Sequence, residues 1–171
     1  EASQLAVSLF GGAVGPRVLD ACAAPGGKTL ALAARTVEGG LVVAADRQAK
    51  RLSRLTQNVL RLRAKNVVAL ACDMSRPAPI VRPFDEVLVD APCSGTGTLR
   101  RHPEIRWRLT PEGLPVFGAR QRQILCAAAD LVRPGGRLLY SVCSIEPEEG
   151  DEVIAAFLED RPQFARADPR S

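Results

Sequence analysis

The chain has 171 residues, of which 46% are apolar and 25% charged, with a formal charge of +4. That length suits one domain, and that balance excludes disorder as the main state. The longest unbroken apolar runs are six residues (67–72, 124–129 and 153–158), whereas a bilayer span needs about 18, so no membrane crossing is expected.

Short apolar runs alternate with amphipathic stretches, which predicts an α/β fold with a mostly parallel sheet and helices on both faces. Val18–Cys22 reads as a first strand ending in a Gly-Pro turn, and Lys28–Thr36 as the helix after it. Leu41–Ala45 reads as a buried strand. In Ala49–Arg63, Leu52, Leu55, Val59 and Leu62 recur at three- and four-residue steps, the period of a helix. Val67–Ala71 and Glu86–Asp90 are the third and fourth strands. A loop rich in Gly, Pro and Arg follows, then a helix over Ala119–Val132 that Pro134-Gly135-Gly136 should stop. Arg137–Cys143 is the fifth strand, and Pro147 opens a last helix running to about Leu158.

Charge is unevenly placed. Residues 47–66 hold seven bases and no acid, residues 99–122 hold six arginines against two acids, and residues 146–160 hold seven acids and no base. Each run is either a solvated face or a partner surface. The five cysteines, at 22, 72, 93, 126 and 143, include no CxxC pair, which fits neither a zinc site nor a disulfide framework. Reduced thiols and the absence of a signal-like start predict a cytoplasmic protein. Because the chain opens at Glu1 rather than Met, it is expected to be a fragment of a longer one.

In an open parallel sheet, ligands bind beyond the carboxyl ends of the strands, at the switch in strand order. The unusual residues cluster at those ends. In Asp20-Ala-Cys-Ala-Ala-Pro-Gly-Gly-Lys-Thr29, Gly26 and Gly27 would allow close backbone approach to a ligand. The loop is not a Walker motif, because position 22 is Cys where Gly is required. Nor is it a GxGxxG fingerprint or a phosphatase loop, which would place Arg at position 28. Asp46 ends the second strand, about 20 residues beyond the loop, where an acid meets ribose hydroxyls in nucleotide-binding sheets. Asp73 ends the third and could accept from an adenine amino group. Taken singly, each reads first as a helix-cap or turn residue. Together the three strand ends suggest an adenosine-containing ligand, and without a phosphate loop S-adenosylmethionine fits better than ATP or NAD.

Asp90-Ala-Pro-Cys93 and Ser141-Val-Cys143 bring two cysteines to neighbouring strand ends, whereas Cys72 and Cys126 read as small core residues. A thiolate adding to carbon 6 of a pyrimidine turns carbon 5 into a nucleophile able to attack a methyl sulfonium. Asp20–Thr29, Asp90–Gly97 and Ser141–Glu149 resemble the RNA cytosine-5 methyltransferases of the Nol/Nop/Sun type. Leu99–Trp107 is most similar to the bacterial small-subunit rRNA methyltransferase B group.

The resemblance implies a Rossmann-like S-adenosylmethionine-dependent methyltransferase domain over residues 1–171, acting on carbon 5 of a cytosine in RNA, small-subunit rRNA above all. It makes Cys143 the nucleophile and Cys93 the helper in breaking down the adduct; in DNA cytosine-5 enzymes the Pro-Cys cysteine attacks instead. It places Cys22, Ala23, Ala24, Pro25, Gly26, Gly27, Lys28, Asp46, Asp73 and Asp90 around the cofactor, with Asp90 also facing the cytosine and no metal involved. A monomer with no obligate protein partner and no membrane contact is expected. The competing readings are the same chemistry on tRNA or DNA, and a catalytically idle RNA-binding assembly module.

The likeness has gaps. The motif before the first strand is half present, as Glu1–Leu5, and both the closing Gly-Phe-Phe-type hairpin and a separate RNA-binding region lack counterparts, so the terminal elements are expected to be truncated. Within 99–122, Arg100, Arg101, Arg106 and Arg108 interleave with His102 and Trp107, a mixture suited to phosphates and unstacked bases. Trp107 could instead anchor the core, and His102 could simply bond within its loop.

Overall fold

The computed structural model describes residues 2–167. Each short run rich in β-branched residues becomes a strand and each amphipathic stretch a helix. The elements are α1 (Ala2–Ser8), β1 (Arg17–Asp20), α2 (Gly27–Arg35), β2 (Leu41–Asp46), α3 (Ala49–Arg61), β3 (Val67–Ala71), β4 (Phe84–Asp90), α4 (Leu114–Ala129), β5 (Val132–Ser141) and α5 (Asp151–Asp160). All strand pairs are parallel, in the order β3-β2-β1-β4-β5.

Strand alternation sorts the core onto two sides of the sheet. Val18, Val42 and Leu88 point to one face, against Leu32 of α2 and Val7 of α1. Ala44, two residues beyond Val42, meets Leu52 and Leu55 of α3 on that same face. Leu19, Val87 and Val89 point the other way, against Ile124 and Leu125 of α4 and Val153 and Phe157 of α5. Helices therefore cover both faces. Among the described residues no helix is long and apolar enough to cross a membrane.

Several boundaries differ from the sequence expectation. Helix α4 starts five residues early, at Leu114, because Pro115 sits in its first turn, where a missing N–H costs nothing. It ends at Ala129, and β5 begins at Val132. Pro134-Gly135-Gly136 thus lies inside the strand rather than before it. The register jumps from Phe84 opposite Val132 to Glu86 opposite Arg137, so the three residues form a bulge that removes the proline from the ladder. Helix α1 carries no sequence signal, since seven residues are too few to display a period. The long loop contains three 3₁₀ turns, Thr96–Thr98, Pro103–Trp107 and Pro111–Gly113. Pro147–Glu149 is a fourth, separate from α5.

Candidate active site

The chain runs β1, β2, β3 outward in one direction, then returns to lay β4 and β5 on the other side of β1. Strand order therefore reverses between β1 and β4, and a cleft of about 270 Å³ opens beyond their carboxyl ends. Cys22, Ala24, Lys28, Asp46, Asp73, Asp90, Cys93 and Cys143 line it, each a residue singled out from sequence. Lys28, from the first turn of α2, closes the gap between the two strands. Its Nζ lies 2.6 Å from Asp90 Oδ2, while Ser141 Oγ donates to Asp90 Oδ1 at 3.0 Å.

Ala23, Pro25, Gly26 and Gly27 stand outside that lining. Gly26 has φ 107°, which only glycine adopts cheaply, and a Cβ there would come within 3.0 Å of Leu55 Cγ. Its close approach is to Leu55 of α3. Gly27 begins α2. The glycine pair thus forms the turn from β1 into α2 that precedes Lys28.

Asp46 is 5% exposed. Its Oδ2 accepts from Ala24 N at 3.2 Å and its Oδ1 from Gln48 N at 2.8 Å, tying the glycine loop to the entry of α3. An ionised carboxylate has about four acceptor sites, so two bonds leave room for two ribose hydroxyls. Asp73 Oδ1 accepts from Ser75 N and Ser75 Oγ, bonds that hold its carboxyl below the usual range and leave Oδ2 free to accept from a ligand. With Met74 and Ile124 as apolar walls, two carboxylates with spare acceptors fit the ribose and amino groups of an adenosyl ligand.

Asp20, at the end of β1, is fully buried. Thr29 Oγ1 donates to its Oδ2 at 2.6 Å, its Oδ1 has no partner among the described residues, and burial pushes its carboxyl up to about 7.

The two cysteines at the mouth of the cleft are in contact. Cys93 Sγ and Cys143 Sγ are 3.2 Å apart, Cys143 being the more exposed. A thiol donated by Cys93 is the largest influence on Cys143, holding it down to about 6 against burial and the nearby Asp90. The same bond, with burial, pushes Cys93 up. Cys22 is pushed to about 12 by burial, so it is an inert wall. Cys72 and Cys126 are likewise raised by burial.

Three residues without an expected role complete the site, Glu149 among them although it closes the Ser141–Glu149 motif. Glu149 and Gln121 are fully buried and bond each other beneath Ser94, and Tyr140 caps them. Glu149 sits in an acidic run that reads as a helix start, and Gln121 gives no periodic signal. The 99–122 loop lies exposed: Arg100, Arg101, Arg106 and Arg108 face solvent, and Trp107 is 90% exposed, which removes the core-anchor reading. His102 Nδ1 is 3.2 Å from Glu104, a bond within the loop.

A family model described as 16S rRNA methyltransferase RsmB/F matches residues 13–170. The chain is 44% identical over 166 residues to a ribosomal RNA small subunit methyltransferase B of Pseudomonas putida, covering 95% of this chain and 37% of the relative. It is 41% identical to the protein of that name in Vibrio cholerae, covering 94% and 37%. The chain thus spans little more than a third of the curated relatives it matches. A crystal structure of NSun6 from Pyrococcus horikoshii with SFG superimposes with a TM-score of 0.82 at 28% identity, covering 92% of this chain and 40% of that one.

Proposed function

Because the chain belongs to the 16S rRNA methyltransferase RsmB/F family, we propose that it is the catalytic domain of an enzyme that methylates carbon 5 of a cytosine in small-subunit rRNA. The fold is the Rossmann-like one of S-adenosylmethionine-dependent methyltransferases, and the relative holding SFG, an analogue of that cofactor, supports the same ligand here. Asp46 and Asp73 would hold its ribose and adenine, and Cys22, Ala24 and Lys28 its flank. When bound, the cofactor supplies an electrophilic methyl group at the cleft.

The observation that carries the proposal is the contact between Cys93 and Cys143 at the edge of the cleft that contains Asp90. The Cys143 thiolate adds to carbon 6 of the flipped base, forming a carbon–sulfur bond. The Lys28–Asp90 pair holds a proton at ring nitrogen 3, which takes up the charge that addition pushes into the ring. After methylation carbon 5 bears both the methyl group and a hydrogen. Cys93, its own proton lost to solvent, removes that hydrogen as a proton. The carbon 5–carbon 6 double bond re-forms, the electron pair of the carbon–sulfur bond returns to Cys143, and the proton on nitrogen 3 goes back to the Lys28–Asp90 pair. On this reading the domain works as a monomer in the cytoplasm, where reducing conditions keep the paired thiols available.

The test separates the thiols. With substrate RNA and cofactor, Cys143→Ala should show neither methylation nor a shifted band on a denaturing gel. Cys93→Ala should trap RNA as a shifted band that resolves slowly. The reverse pattern would make Cys93 the nucleophile and overturn the assignment.

A further inference from the structure

The carboxylate of Glu149 is, with that of Asp20, one of two fully buried acids that the reaction above leaves idle. It is 0% exposed, and among the described residues no Lys or Arg lies within ion-pair distance of it. Burying a carboxylate without a cation is costly unless neutral donors replace its water. Here three do: Ser94 N and Gln121 Nε2 donate to Oε1 at 2.8 Å each, and Ser94 Oγ donates to Oε2. Gln121 Nε2 also donates to the carbonyl of Pro92 at 3.1 Å. The peptide groups on both sides of Cys93 are therefore gripped by one buried pair.

The seat for this pair is built in. At Gly118, one turn before Gln121 on α4, a Cβ would collide with the carbonyl oxygen of Glu148, so the 147–149 turn lies directly against the helix. Tyr140 OH, from β5, donates to the Glu149 carbonyl at 2.7 Å. Strand β5 also carries Cys143 beyond its end, so one assembly of α4, β5 and the 147–149 turn positions both sulfurs.

We propose that Glu149, acting with Gln121, is a positioning residue that clamps the Pro92-Cys93-Ser94 turn and keeps the Cys93 sulfur against Cys143. The part of this that concerns product release rests on the methyltransferase reading above. The clamp itself does not.

Two measurements on the full-length protein separate them. The first needs no RNA: iodoacetamide labelling of the Cys143 peptide, followed by mass spectrometry across pH. Cys143 faces Cys93, Asp90 and Lys28, and only the Cys93 bond should change. In Glu149→Ala the labelling midpoint should climb by at least one pH unit, towards an ordinary thiol. Glu149→Gln keeps the Oε1 acceptor, and Ser94 Oγ can turn to accept, so its midpoint should stay near wild type. The second measurement is the adduct gel. Glu149→Ala should accumulate covalent RNA and turn over roughly tenfold more slowly, with its KM for S-adenosylmethionine unchanged. Should Glu149→Ala fail to fold, Gln121→Met, which removes the bonds to Pro92, Glu149 and Tyr140 but leaves Ser94 held by Glu149, should give a smaller shift in the same direction. An unshifted midpoint in a folded variant overturns the clamp. A shifted midpoint alongside a Cys93→Ala variant that traps no adduct supports the clamp and overturns the release role.

Discussion

Asp20 shows what a single buried carboxyl does to the pH profile of this fold. Its carboxyl titrates at about 7 in the folded chain because burial disfavours the charged form. In the unfolded chain it titrates near 4. Between those values the native state holds a proton that the unfolded state has lost, so stability falls as pH rises through that window and levels above it. Three units of difference amount to about 4 kcal/mol. Urea unfolding from pH 4 to 8 should show that decline, and Asp20→Asn should flatten it. Parallel slopes in the two proteins would sink the argument. Cys143 behaves oppositely: its bond with Cys93 favours the anion, so of the five thiols it should be the one alkylated first at pH 7.

At the scale of elements, the loop from Arg100 to Arg108 differs from the arginines that the fold pairs with acids. Arg122 pairs with Asp160, Arg133 with Asp85, Arg137 with Glu86 and Arg161 with Asp130. Arg100, Arg101, Arg106 and Arg108 have no such partner among the described ion pairs, and Trp107 stands beside them in solvent. Unpaired cations around an exposed indole suit a single RNA strand. Replacing Arg100 and Arg101 with Ala should reduce the slope of log affinity against log salt by roughly 1.5, at about 0.7 to 0.9 for each phosphate no longer neutralised. Trp107→Ala should cost about 1–3 kcal/mol of binding with the slope retained. A slope untouched by the double replacement would leave these arginines as a solvated face.

Across the whole molecule, the sheet order collects residues 22–28, 46, 73, 90–93 and 143 at one edge, so ligand binding should be felt by the entire fold. At a hundredfold excess over Kd, S-adenosylmethionine or its demethylated product should stabilise the chain by about 2.7 kcal/mol, a rise in Tm of roughly 5–10 °C. Asp46→Ala removes up to two charge-assisted bonds to the ribose, each worth about 1.5–3 kcal/mol, so the rise should vanish at the same ligand concentration. Because that variant also strips an acceptor from Ala24 N and Gln48 N, each protein is compared with its own ligand-free melt. An equal rise in both proteins would mean that the cofactor does not rest on Asp46.

The sequence by itself determined the five strands, most of the helices and the edge at which the chemistry gathers. Those are consequences of local periodicity and of short motifs at strand ends, and both survive in a linear string. It also made Cys93 and Cys143 candidates, because both sit where a parallel sheet exposes ligands. Only the tertiary structure decided that their sulfurs touch, that Lys28 reaches across to Asp90, and that Gly26 turns towards Leu55. It decided too that Glu149, one acid among seven, is buried with Gln121. These pairings join residues 28 to 62 positions apart, and no local pattern encodes which of several similar side chains the packing of α4 against β5 will enclose.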